Sequence, residues 1–273
     1  MNSFKISLAG DLGSGKSTVG KILARELGAE VYSTGTIQRG IALKMGMTTL
    51  ELNQYMETHP EIDGMIDDGL RALENSEKSL IIDSRMAWHF VPSSFSVYMM
   101  AQPRISAQRI LNAGRESERF ASLEEAEASV AERRHSEMLR YSHLYGVNIK
   151  DLENYDYVVD TSFVSPETVA KHIIAHFQKF SEGVPFVRYE ICAERLLPCA
   201  EAEGTPAFFE EDGCFYLARG ARSVAERIRG GEKLVSCERI AAGDKSCCSS
   251  ETIRRWEAET GIRIAVSAFP NGK

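Results

Sequence analysis

The first 180 residues alternate between short apolar runs and longer amphipathic stretches. The runs with the length and composition of buried strands lie at residues 4–9, near 31, 80–83, 96–101 and 157–160. The stretches between them have a helical period. One of them places Val19, Ile22 and Leu23 on a single face and stops at Gly28, a residue suited to the left-handed helix cap. Strands that alternate with helices are typical of a parallel sheet covered by helices, so an α/β domain is predicted.

The alternating pattern of the sequence ends after residue 180. A turn-rich stretch at 181–185 follows an amphipathic helix, and it predicts a domain boundary. We therefore expect one domain over residues 1–182 and a second over 183–273. In the second domain, strands are predicted at 214–218 and 233–240, and helices at 222–229 and 251–259. This pattern indicates a small α+β domain.

Composition narrows the function classes. Of the 273 residues, 43% are hydrophobic and 26% are charged, which is ordinary for a globular protein. The net charge of −7 argues against a nucleic acid polymer as partner, because such binding depends on excess Lys and Arg. No apolar run reaches the ~20 residues of a membrane helix, and the N-terminus lacks a signal-peptide pattern. We expect a cytoplasmic protein with no membrane partner.

The cysteines and histidines are segregated along the chain. All six cysteines lie between Cys192 and Cys248, whereas all six histidines lie between His59 and His176. This excludes a mixed Cys/His zinc site in the C-terminal part, and no C-x-x-C pair begins an all-cysteine one. Reduced thiols are therefore expected.

One motif carries nucleotide chemistry. Residues 10–17 match the phosphate-loop pattern G-x-x-x-x-G-K-[ST], directly between a predicted strand and a predicted helix. Glycines let backbone N–H groups turn around phosphates, and the helix N-terminus adds positive charge. ATP is expected to bind through Gly10, Asp11, Leu12, Gly13, Ser14, Gly15, Lys16, Ser17 and Thr18.

The same motif predicts a magnesium site. Lys16 should reach the terminal phosphates, and the hydroxyl of Ser17 should bind the Mg²⁺ that accompanies ATP. A carboxylate at the end of a neighbouring strand should complete the site. Asp83 is the candidate because it ends the predicted strand at 80–83, although an acid at a strand end is also often a solvated cap.

Further motifs follow the phosphate loop in order. They are S-T-G-T-I-Q-R at 33–39, H-P-E-I-D at 59–63, D-S-R-M at 83–86, E-R-R-H-S-E-M-L-R-Y at 132–141, Y-G-V-N-I at 145–149 and Y-D-Y-V-V-D-T-S at 155–162. From about Lys5 to Phe180 the chain resembles the cytidylate kinases, most closely their short archaeal-type branch. The resemblance implies a P-loop NTPase fold with a five-stranded parallel sheet, helices on both faces, an acceptor-binding arm and a mobile lid. It also implies transfer of the γ-phosphoryl group of ATP to CMP or dCMP.

The resemblance also assigns acceptor-binding residues. Arg39 and Arg85 match the positions that hold the acceptor phosphate, with Thr34 close by in sequence to Arg39, and Arg140 matches an acceptor arginine. Glu137 is nominated for base choice, because a carboxylate can accept a hydrogen bond from the exocyclic amine of cytosine, which uracil lacks.

Four cations are the expected catalytic groups, since two polyanions must be brought together: Lys16, Arg85, Arg133 and Arg140. Arg133 matches a lid arginine of the family. Arg104, Arg109 and Arg115 lie where this fold tends to place donor-side lid contacts, although an arginine-bearing helix face is often just solvated.

Departures from the family pattern leave other functions open. Thr36 stands where the family commonly has an acid, and Ser84 stands where it has a glycine. These changes would permit a P-loop kinase for another small acceptor. A nucleotide-sensing regulatory protein is the alternative from a different class.

The C-terminal part has its own resemblance. Residues 217–225 look like the glycine-arginine element of ParB and sulfiredoxin-like domains. Either a structural or oligomerising appendage or a second nucleotide-binding or regulatory site fits this part, and the oligomeric state is left open by the sequence.

Overall fold

The structure of the protein is a computed structural model that describes residues 3–113, 120–199, 203–246 and 248–265. Within these ranges the chain forms two compact units. The first contains residues 3–158 and 166–184, and the second contains 159–165 and 185–265. The sequence pattern gives no signal that residues 159–165 belong with the second unit, because they lie between a strand and a helix of the kinase-like pattern.

The sheet of the first unit is formed by β1 (Lys5–Gly10), β2 (Glu30–Ser33), β3 (Leu80–Asp83), β4 (Phe95–Met100) and β5 (Tyr157–Asp160). Across the sheet the order is β2, β3, β1, β4, β5, and the last two residues of β5 are grouped with the second unit. β1 pairs in parallel with β3 and β4, and β2 pairs in parallel with β3. The predicted α/β fold is thereby confirmed. Leu8 lies opposite Asp83, so the carboxyl ends of β1 and β3 are side by side.

The helices described in this unit are α1 (Lys16–Leu27), α2 (Thr34–Met45), α3 (Thr49–Met56), α4 (Pro60–Glu74), α5 (Ala87–Phe90), α6 (Pro103–Asn112), α7 (Leu123–Tyr145) and α8 (Pro166–Ser181). α1 ends at Gly28, whose φ of 65° is the left-handed conformation that the sequence predicts. α3 begins with a capping box in which Thr48 and Glu51 satisfy each other's backbone N–H groups. None of the helices in the described ranges is long and apolar enough to cross a membrane.

The second unit has more strands than the sequence pattern predicts. Its elements are β6 (Tyr189–Cys192), β7 (Leu196–Pro198), β8 (Ala207–Glu211), β9 (Cys214–Arg219), α9 (Ala221–Arg229), β10 (Leu234–Arg239) and α10 (Ser250–Thr260). β10 pairs antiparallel with β6 and parallel with β8, while β9 pairs antiparallel with β8 and parallel with β7. β6, β7 and β8 were missed because runs of three to five residues show too little periodicity.

The thiols of the second unit lie mostly in its interior. Cys192, Cys199, Cys214 and Cys237 are buried, and Cys248 is half-buried. Cys247 lies outside the described residues.

Candidate active site

The phosphate loop connects β1 to α1, and two of its glycines pack closely against neighbouring backbone. Gly10, Gly13 and Gly15 have φ angles of 137°, 71° and 91°, which residues with a side chain rarely adopt. A Cβ at Gly10 would overlap the backbone of Met99, and one at Gly13 would lie 2.5 Å from the carbonyl oxygen of Ser106. The loop therefore needs glycine both for its backbone conformation and for its contact with neighbouring backbone.

Lys16 is folded over this loop. Its Nζ donates to the carbonyl oxygens of Gly10 at 3.0 Å and Asp11 at 2.7 Å, and to Ser14 Oγ at 3.3 Å. Burial, together with the nearby positive charge of Arg85, lowers the pKa of Lys16 to about 7. The negative charge of a bound phosphate would counteract both effects on the pKa of Lys16, so the environment favours phosphate beside this ammonium group.

Ser17 and Asp83 meet at the carboxyl ends of β1 and β3. Ser17 Oγ donates to Asp83 Oδ2 at 2.9 Å, and Ser33 Oγ donates to the same oxygen at 3.3 Å. Thr34 Oγ1 donates to the backbone oxygen of Asp83 at 3.4 Å. A hydroxyl and a carboxylate are the hard oxygen ligands that Mg²⁺ prefers, so the donor set fits this ion.

Glu137 holds two of the predicted arginines together. Arg85 Nε lies 2.5 Å from Glu137 Oε2, and Arg133 Nε donates to Glu137 Oε1 at 3.1 Å. Burial would raise the pKa of Glu137, but Arg85, Arg133 and Arg140 outweigh it and lower the pKa below its usual value. The carboxylate nominated for base choice therefore has both oxygens against guanidinium groups.

Arg140 lies in a separate polar cluster between α3, α4 and α7. Its Nε is 3.2 Å from Asp63 Oδ2, and its Nη1 donates to the backbone oxygen and to Oδ1 of Asn53 at 3.2 Å and 3.1 Å. Burial raises the pKa of Asp63 to about 6, although Arg140 opposes the rise. Sequence reasoning missed Asp63 as a partner of Arg140, and the H-P-E-I-D motif was the available signal.

An open cleft lies in front of the phosphate loop. Arg39 borders it and donates from Nη2 to Thr36 Oγ1 at 3.1 Å. The predicted site residues that line the cleft are Leu12, Gly13, Gly15, Lys16, Ser17, Thr18, Thr34, Arg39, Asp83, Arg85 and Arg133. Arg140 and Glu137 are absent from this lining within the described residues.

The predicted donor-side arginines have separate surroundings. Arg109 Nη1 donates to the carbonyl oxygen of Gly13 at 3.5 Å, which places it beside the loop. Arg104 forms a long, partly exposed ion pair with Glu127 at 3.8 Å. Arg115 lies outside the described residues.

The side chain of Asp11 is buried in the protein. The carboxylate accepts hydrogen bonds from Tyr98 Oη at 3.0 Å and from the N–H of Ala101 at 2.9 Å, and it pairs with Arg134 and Lys150. Sequence reasoning assigned Asp11 to ATP binding and did not find Arg134 or Lys150 as its partners.

Cations thus surround the phosphate loop, where the hydroxyl of Ser17 meets the carboxylate of Asp83 from the end of β3. Lys16, Arg39, Arg85 and Arg133 all border one cleft, so their charge can be shared between two phosphate groups. A parallel sheet with this loop and these cations defines the P-loop phosphotransferases.

Comparisons with known proteins narrow this class. Residues 6–134 match the family model described as an AAA domain. The chain is 36% identical over 197 residues to a cytidylate kinase of Thermoplasma volcanium, covering 71% of this chain and 98% of that protein. A cytidylate kinase of Pyrobaculum arsenaticum is 38% identical over 164 residues, covering 59% of this chain and 85% of that protein. The chain belongs to the cytidylate kinase family, as its motifs predict.

Another relative is a longer protein, of which this chain matches only a part. An S-adenosylmethionine-dependent nucleotide dehydratase of Lacinutrix mariniflava is 33% identical over 190 residues, which are 68% of this chain but only 39% of that protein. The similarity therefore concerns one part of the dehydratase.

Proposed function

We propose that this protein is an ATP-dependent kinase that transfers the γ-phosphoryl group of ATP to CMP or dCMP. The observation that carries the proposal is the convergence of Lys16, Arg39, Arg85 and Arg133 on one cleft beside the phosphate loop. The cytidylate kinases that share more than a third of their aligned residues with this chain support CMP as acceptor.

The donor side is formed by the phosphate loop. Its backbone N–H groups and Lys16 bind the terminal phosphates of ATP. Ser17 and Asp83 would hold the Mg²⁺, which would supply charge neutralisation for the phosphates. Because Asp83 Oδ2 also accepts from Ser33, the carboxylate is oriented before any ion binds.

The acceptor side is formed by the arginines. Arg39 and Arg85 bind the acceptor phosphate, and Arg133 neutralises charge on the group in transfer. Glu137 contacts the Nε atoms of Arg85 and Arg133 and so fixes both guanidinium groups beside the cleft, where arginine forks can bind phosphate oxygens. A general base is not needed, because the acceptor phosphate is already an anion.

The departures from the family pattern fit this proposal. Thr36 accepts a hydrogen bond from Arg39, so it orients that arginine without neutralising it as an acid would. Ser84 is buried and accepts the N–H of Met86 at 3.3 Å, which stabilises the turn that follows β3. A purely nucleotide-sensing role would need fewer acceptor-side charges than the cleft presents.

The proposal extends to partners and location. Small nucleotides are the ligands. The net charge of −7 argues against a nucleic acid polymer as partner. Use of ATP and CMP, together with the absence of a membrane-spanning helix in the described ranges, supports a cytoplasmic location.

A coupled assay of ADP release tests the proposal. It uses magnesium-ATP with CMP, dCMP, UMP, AMP and GMP, and compares wild type with Lys16→Ala and Arg85→Ala. Arg25→Ala is the matched control, because Arg25 is an exposed arginine of α1. Turnover on cytidylates that is lost in both site variants and kept in the control supports the kinase. No turnover on any monophosphate by the wild type overturns it.

A further inference from the structure

Asp11 is the second residue of the phosphate loop, and its carboxylate lies away from the cleft. The side chain is 7% exposed. Two neutral donors reach it, the hydroxyl of Tyr98 and the N–H of Ala101. Two cations reach the same carboxylate, Arg134 at 3.3 Å and Lys150 at shorter range. Three hydrogen-bond donors and one further cation, from β4, α7 and the segments after them, therefore converge on one loop side chain.

The backbone of Asp11 is fixed as well. Its N–H donates to the carbonyl oxygen of Met99 at 3.0 Å. Its carbonyl oxygen accepts from the N–H of Ser14 at 3.2 Å and from Lys16 Nζ at 2.7 Å. The N–H and the carbonyl group of Asp11 are therefore both held by hydrogen bonds. These groups belong to the loop whose backbone cradles the phosphates in this motif.

The two cations compensate the negative charge of the Asp11 carboxylate. Burial alone would raise the pKa of Asp11, but Lys150 and Arg134 outweigh burial and lower the pKa to about 2. An uncompensated anion here would repel the phosphates of ATP, whereas one anion with two cations leaves a net positive group behind the loop.

Arg134 also sets the rotation of α7. Neighbouring residues on a helix point ~100° apart. Arg134 reaches Asp11, while the preceding Arg133 reaches Glu137 and lines the cleft. The ion pair to the loop thus holds α7 at the angle that presents Arg133 to substrate.

We propose that Lys150 and Arg134 are positioning residues that act through Asp11, holding the first half of the phosphate loop and the facing side of α7 in the orientation that γ-phosphoryl transfer requires. The kinetic part of this inference rests on the proposed function. The part that concerns the loop predicts ATP affinity and stands without an acceptor.

The test compares Lys150→Met and Lys150→Arg with wild type. Lys150→Met should weaken binding of a non-hydrolysable ATP analogue by about tenfold in calorimetric titration and lower kcat by about tenfold, a change of about 1.4 kcal/mol in each. KM for CMP should change by less than about threefold, because the acceptor arginines keep their own partners. Lys150→Arg should recover both values to within about threefold. Lys171→Met, an exposed lysine of α8, is the matched control and should match wild type.

Two outcomes overturn the inference. Unchanged analogue affinity in Lys150→Met overturns it, and so does an equal loss of kcat in Lys150→Arg. If Lys150→Met does not fold, Arg134→Gln takes its place with the same expectations for analogue affinity and acceptor KM. A wild type that binds the analogue but does not turn over CMP overturns the proposed function, while the analogue titrations still test the loop.

Discussion

Glu137→Gln keeps the size of the side chain but removes the charge that holds Arg85 and Arg133. The Glu137 side chain is 3% exposed, and its oxygens lie 2.5 Å and 3.1 Å from the Nε atoms of these arginines. Removing one partner of a buried ion pair costs about 3–5 kcal/mol, because the remaining charge is left uncompensated. We therefore expect a loss of both stability and activity.

The size of each loss follows from this cost. In a domain of about 150–250 residues, 1 kcal/mol shifts Tm by roughly 2–4 °C, so Tm should fall by about 6 °C or more. The two guanidinium groups also lose their fixed positions. A displacement of about 1 Å can cost about 100-fold in rate, so kcat should fall by about 10-fold to 100-fold.

Thermal melting and the ADP-release assay with CMP and UMP measure both effects. Glu124→Gln is the matched control, because Glu124 is exposed on the same helix. The reasoning is refuted if Tm and kcat keep their wild-type values while the preference for CMP over UMP falls. Glu137 would then contact the base and would not be needed to hold the arginines.

Three further changes test other parts of the site. Gly13→Ala should abolish binding of an ATP analogue in calorimetric titration, because its Cβ would lie 2.5 Å from the carbonyl oxygen of Ser106; wild-type affinity would contradict the close packing. Asp83→Asn should raise the magnesium concentration for half-maximal turnover by about tenfold or more, since a charge opposite the ion is lost; an unchanged requirement would remove Asp83 from the metal site. Arg140→Met should lower Tm more at pH 8 than at pH 5. Burial already raises the pKa of Asp63 in the folded protein to about 6, and loss of Arg140 raises this pKa further. As pH rises, the Asp63 carboxyl group then ionises more readily in the unfolded chain than in the folded one, so the variant loses stability. Melting curves at both pH values decide, and an equal loss at each would contradict the pairing.

The phosphate loop could be predicted from the sequence because its requirements are local. Its glycines, Lys16 and Ser17 lie within eight residues, directly after a strand. The contact between Ser17 and Asp83 spans 66 residues, yet it could also be expected. Carboxyl ends of neighbouring parallel strands meet at one edge of a sheet, and each strand had its own apolar signal.

Other contacts gave no such signal. Lys150 and Asp11 are 139 residues apart, and Lys150 lies in a loop whose path is set by packing. Arg140 is expected beside the acceptor because it matches a family position, and in the structure its Nε also lies 3.2 Å from Asp63 Oδ2, a residue of the H-P-E-I-D motif. The motif identifies which side chains are charged, whereas the helix crossing decides which of them meet.

A single helix, α7, contacts three separate parts of the first unit. Arg134 pairs with the phosphate loop, Glu137 with the arginine that follows β3, and Arg140 with α3 and α4. A ligand that displaces one of these contacts changes the free energy of the others, since all three side chains share one backbone. The factor by which CMP changes the affinity for ATP must then equal the factor by which ATP changes the affinity for CMP. Reciprocal coupling between the two substrate sites is the thermodynamic consequence of this helix.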